Sequence, residues 1–243
     1  MKKNIKSPLA VLVAGLVIIG ASSIGATRAA VVYQSAAERI NFSTAKLSVI
    51  LEEEVDGKYD NVEDGELTFP EISADEKVKV GKLYDEKVRV VNNSNNETGY
   101  SEYVRVVLRK SWFKDGKNTN LDPELIKVNV ADGWYLNEKE STKEQSVYYR
   151  LSPLACGETA DFITGIKVDN TVTTFVESKP ATENGVEIAG SIENTYLYNG
   201  ENVYIQLQAD AVQTHNAKDA IYAAWGINVT CDAEDDGNIT KID

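Results

Sequence analysis

The stretch that most constrains this chain is "YVRVVLRKSW", residues 103–112. In an extended chain successive side chains point to opposite faces. Val104, Val106 and Leu108 therefore share one face, and Arg105, Val107 and Arg109 the other. One dry and one wetted face is the pattern of an antiparallel sheet. Further runs rich in β-branched and aromatic residues are "KLSVILEE", "EKVRVVNN", "LIKVNVADGWYL", "SVYYRL", "ETADFITGIKV" and "NVYIQLQADAVQ". Turn-forming stretches separate them: "NNSNNETG", "FKDGKN", "NEKEST" and the "NG" at 199–200. Seven or more such strands predict a mainly β fold, an antiparallel β-sandwich or jelly-roll with one or two short helices.

Two helix signals interrupt the strands. In "LDPELI", Asp122 is placed to cap and Pro123 to open a short helix. In "HNAKDAIYAAWG", Asn216 reads as the N-cap, Ala220, Ile221, Ala224 and Trp225 as the apolar face, and Gly226 as the stop. The acidic insert at 56–87 reads as a loop with one or two edge strands.

The N-terminus has the layout of a secretory signal peptide, residues 1–29. "MKKNIK" is a basic start, "PLAVLVAGLVIIGASSIGA" an apolar run, and "TRAAV" supplies small residues for a peptidase, with the cut expected between Ala29 and Ala30 and Ala30/Val31 as the second position. The uncharged stretch between Lys6 and Arg28 is also long enough for a retained membrane helix. Gly15, Gly20, Ser22, Ser23 and Gly25 dilute its second half and favour cleavage. Residues 30–45 then precede a sandwich domain over 46–231 and an acidic tail over 232–243. The whole chain carries −13, and the first 29 residues hold four basic residues and no acid. The cleaved body is thus more acidic still, which disfavours nucleic acid and anionic lipid as partners; the membrane matters only before cleavage.

Four stretches together resemble the TasA/camelysin family, biofilm-matrix proteins of Gram-positive bacteria secreted through a SipW-type signal peptidase. They are "GATRAAVVYQSAAERINFSTAKLSVIL", "YVRVVLRKSW", "CGETADFITGIKVD" and "IQLQADAVQTHNAKDAIYAAWGI", in that order along the chain. The chain departs from the family pattern in the insert at 56–87, two cysteines and an acidic end. The resemblance implies a secreted structural protein of the extracellular matrix or cell surface. Its partners would be copies of itself joined head to tail into fibres, other matrix proteins, and the signal peptidase. The donated strand would run from Ala30 to about Phe42, with Val31, Tyr33, Ser35 and Ala37 on one face and Val32, Gln34, Ala36 and Glu38 on the other; the other reading of this segment is an ordinary first strand or a flexible leader. Strand addition fills an open sheet edge, and head-to-tail repetition that does not close gives a filament.

Catalytic signatures are missing from the sequence. A peptidase zinc needs about three protein ligands, whereas the chain holds one histidine, His215, and no HExxH. The expectation is a non-enzyme with no cofactor, calcium excepted. Counting Asp232 as position 1, Asp232, Glu234, Asp236, Asn238 and Asp243 fall at 1, 3, 5, 7 and 12, with Gly237 at 6, the spacing of an EF-hand-type calcium loop; the other reading is a solvated acidic tail. Cys156 and Cys231 are either a disulfide, stabilising by roughly 4 kcal/mol in the chain-entropy picture, or two free thiols. Trp112, Trp134 and Trp225 raise a second class, a carbohydrate- or surface-binding sandwich, for which exposed coplanar rings on one sheet face would speak.

Overall fold

The computed structural model of the protein describes residues 47–62, 65, 67–69, 78–94 and 99–243; the signal peptide and the donor segment read from the sequence lie outside them. In chain order the first strands are β1 (Val49–Val55), β2 (Lys58–Asn61), β3 (Leu83–Tyr84), β4 (Val88–Asn92), β5 (Glu102–Phe113), β6 (Lys117–Asn118), β7 (Ile126–Val130) and β8 (Trp134–Leu136). There follow β9 (Gln145–Arg150), β10 (Thr159–Val168), β11 (Val176–Glu183), β12 (Val186–Tyr196), β13 (Asn202–Gln213), helix α1 (Ala217–Trp225), β14 (Val229–Cys231) and β15 (Ile239–Ile242). One sheet runs β2-β1-β4-β10-β3, with β7 also on β10; a second runs β13-β5-β9-β8, with β6 on β5. The fold is mainly β, a sandwich of antiparallel sheets.

The alternation in "YVRVVLRKSW" places the main core. Val104, Val106, Leu108 and Trp112 of β5, with Ile205 and Leu207 of β13, pack against Leu51, Val88, Val90, Phe162, Ile163 and Ile166 of the facing sheet. Each such side chain contributes about 1.5–3 kcal/mol when fully buried. The opposite face of β5 is not simply wetted, which corrects the sequence reading. Tyr103 and Val107 are buried there with Val147, Tyr149 and Val212 beneath α1 and the β14–β15 hairpin. The chain covers that face with its own C-terminal elements.

Helix α1 buries Ala217, Ile221 and Trp225, one residue per turn, while Ala224 is exposed, so its apolar stripe is rotated from the expected one. Asn216 sits in the left-handed region (φ 52°) and its side chain makes no capping bond. Gly226 (φ 73°) ends the helix as expected, its N–H reaching Tyr222 O. At "LDPELI" the chain makes a single 3-10 turn, Pro123–Leu125, with Asp122 accepting from Glu124 N at 3.1 Å.

The periodicity missed several elements, among them β6, in a stretch read as a turn, β15, in the stretch read as an acidic tail, and the pair β11 and β12. Among the described residues strands β11 and β12 pair only with each other, and they form a ribbon exposed along almost its whole length. Val186 and Ile192 are each 69% exposed.

Candidate functional site

The strand β13 borders the second sheet. All of its residues, from Asn202 to Gln213, are in register with β5 on one side. On the other side, among the described residues, one backbone hydrogen bond is made: Leu207 N donates to Gly65 O at 2.8 Å. Gly65 has φ +75°, and a Cβ there would stand 2.1 Å from Leu207 O, so only glycine lets the chain approach this edge. Antiparallel pairing alternates inward and outward backbone groups. With Leu207 pointing outward, Val203, Ile205, Ala209 and Ala211 also turn N–H and C=O to that edge. Their side chains face the sandwich interior, where Ile205 and Leu207 are core and Val203 and Ala209 pack against it. The strand is about 40 Å long at ordinary strand rise. Strand β1 neighbours β13 across the sandwich. It pairs with β4 from Val49 onward but with β2 only from Glu52, and Ser48 just before it is fixed by Asn93 N at 2.6 Å.

The end of the sandwich where Gln213 pairs with Glu102 holds a buried acid. The Glu102 side chain is fully buried and, among the described residues, neither carboxylate oxygen finds a partner in hydrogen-bond geometry. Burial pushes its pKa up to about 8, against a smaller downward pull from the Ser48 backbone. Glu53 is the contrasting case: equally buried, it accepts from Thr68 N, Thr68 Oγ1 and Phe69 N at 2.9–3.0 Å. Neither acid was singled out by the sequence, because acidity is general in this chain. Only the place of Glu102 at the head of a core strand hinted at its burial.

The site residues read from the sequence fare differently. Ala29, Ala30, Val31, Tyr33, Ser35 and Ala37 lie outside the described residues. Cys156 and Cys231 are free, half-buried thiols, not a disulfide. Cys156 lies in a turn before β10, whereas the Cys231 sulfur sits 4.0 Å from the Tyr103 hydroxyl. Burial first, and Cys231 second, raise the Tyr103 pKa, and its hydroxyl donates to Gly237 O at 2.6 Å.

The residues of the calcium-loop spacing are parted by the fold. Asp232, Glu234, Asp236 and Asn238 belong to the connection of the β14–β15 hairpin, closed by Asp232 N to Asn238 O at 3.0 Å. Both Asp232 oxygens are taken by Asn238, Oδ1 by its N–H at 2.7 Å and Oδ2 by its side-chain amide at 3.0 Å. Asp243 is carried to the far end of the hairpin, where its N–H meets Asn228 O and its carboxylate pairs with Lys241. Strand β15 separates position 12 from the others. Among the described residues no group of three or more potential ligands converges. His215 is exposed, 3.1 Å from Asp235.

The three tryptophans pack rather than form a platform. Trp112 is 3% exposed, donates to Asp122 O at 2.9 Å and meets Tyr198 edge-on. Trp134 donates to Asp161 O at 2.8 Å and meets Phe162 edge-on, and Trp225 lies on Tyr149.

Compared with models of protein families, with curated proteins and with solved structures, the chain finds no match in any of the three.

Proposed function

We propose that this is a secreted, non-enzymatic structural protein of an extracellular matrix, which polymerises head to tail when the N-terminal segment of one copy adds to the outer edge of β13 in the next. The observation that carries this reading is the β13 edge itself. It is a long strand with its inner side fully paired and, among the described residues, Gly65 as its one backbone partner on the outer side. Such an edge is a template for another strand. The segment 30–42 is of matching length, about 13 residues for a strand of 12. The resemblance of the cleavage region and of "IQLQADAVQTHNAKDAIYAAWGI" to the TasA/camelysin family supports the same reading. Attachment to an uncleaved signal would hold the donor at the membrane, so cleavage would license assembly.

Electron microscopy of the mature protein beside a form lacking residues 30–42 tests this. The mature form should make filaments and the truncated form should remain a folded monomer. Secreted material should begin at Ala30 or Val31 on N-terminal sequencing. Filaments from the truncated form would reject donation by this segment.

A further inference from the structure

The inward face of β5 reads Val104, Val106, Leu108, Lys110, Trp112. A lysine in such a series is unusual, since lysine is almost never buried without a counter-charge. Lys110 extends along the core surface and its ammonium donates to Ile126 O at 2.8 Å, at the start of β7. No carboxylate lies within ion-pair distance of it among the described residues. Burial, and then the charge of Lys127, lower its pKa, against smaller upward pulls from Glu124 and Asp122.

Two more lysines stand at the same place. In the β7–β10 ladder Lys127 is directly opposite Lys167. Like charges in that position repel across the strands. With Lys110 they line an open cleft of about 750 Å³, together with Glu124, Asn129 and Leu83. Among the described residues the acids nearby are already engaged: Asp122 lies 3.2 Å from Lys143. Glu124 lies 3.4 Å from Lys143, and Asp169, which feels both Lys127 and Lys167, accepts from Thr171 N–H and hydroxyl. In a chain of 38 acidic and 25 basic residues, three strands deliver to one cleft three ammonium groups that, among the described residues, have no ion-pair partner.

We propose that the cleft between β5, β7 and β10 binds an oxyanion, a carboxylate or phosphate group, through Lys110, Lys127 and Lys167. Lysines act as rotatable point charges, and suit an anion without the fixed fork that arginine imposes. The bound anion offsets the Lys127–Lys167 repulsion, and Leu83, 52% exposed, offers an apolar shelf beside the charges. The proposal is independent of filament formation.

Isothermal titration of the mature chain at low salt, with inorganic phosphate in one arm and a uronic-acid trisaccharide in the other, tests it. At least one probe should bind, with affinity falling as salt rises. The Lys127→Gln, Lys167→Gln double variant should weaken that probe about tenfold, while Lys218→Gln, on the exposed side of α1, should leave it unchanged. Melting of the ligand-free double variant should not fall, because removing a like-charge pair does not destabilise the ladder. Phosphate binding alone makes the ligand a small anion; binding of the trisaccharide makes it an acidic polysaccharide. No heat in either arm, or equal weakening in Lys218→Gln, overturns the proposal.

Discussion

Arg105 and Asp210 stand opposite each other in the β5–β13 ladder, and both Nε (3.1 Å) and Nη2 (2.6 Å) of the arginine reach the same oxygen, Asp210 Oδ2. The pair lies on the face that α1 covers, with the guanidinium 5.5 Å from the Trp225 ring. It fixes the strand that carries the proposed assembly edge. Asp210→Ala leaves a largely buried guanidinium without its partner, which costs about 3 kcal/mol. Urea unfolding should show this loss, and the double replacement Arg105→Met, Asp210→Leu should recover most of it.

Glu102 makes stability depend on pH in an unusual direction. Its folded pKa of about 8 lies above the ordinary 4.5. Between those values the folded chain holds a proton that the unfolded chain has lost. The contribution is therefore complete below about pH 4.5 and falls away as pH rises through 8. Glu102→Gln should remove the slope. The difference between variant and parent should grow by about 2–4 kcal/mol from pH 4.5 to 9, read from urea midpoints at each pH. A constant difference would show that Glu102 ionises normally.

Ala209 supplies one of the outward N–H groups of β13. Ala209→Pro removes that donor while sparing the pairing to β5, since proline is tolerated on an edge. The monomer should lose about 1–3 kcal/mol through the fixed φ but keep its far-UV circular dichroism, and filaments should be absent from micrographs. Tyr33→Asp should have the same effect on filaments with no change in monomer melting.

Millimolar calcium should leave the melting temperature unchanged, because both oxygens of Asp232 are already occupied and Asp243 is a strand away. Asp232→Ala should instead cost about 1 kcal/mol with or without calcium, from two lost hydrogen bonds in the loop.

The strands with strong alternation were legible in the sequence, as was the stop at Gly226. What the sequence hid follows from its local nature. The face of Arg105 and Val107 looked wetted because α1, more than a hundred residues away, covers it. The acids at 232–243 had ligand spacing, but spacing along a chain says nothing of the strand that parts Asp243 from Asp232. The ribbon of β11 and β12 escaped because neither strand alternates cleanly, and neither has a core to answer to. Lys110 falls within a strongly alternating β run, yet its meaning depends on Lys127 and Lys167, which only the register brings opposite each other.

The β11–β12 ribbon bears on how the molecule will age. A two-stranded hairpin with no third strand is marginal in water, and this one has Gly190 at φ +75° within it. Its amide protons should exchange long before those of β5, and proteases should nick it first. A cut there would leave both sheets of the sandwich and the second core intact, so nicked molecules would accumulate as folded, two-chain species. The same independence makes the turn at Asn184 and Gly185 the natural position for grafting a foreign peptide: the insert would be presented on a stalk while the fold beneath it stays as it was.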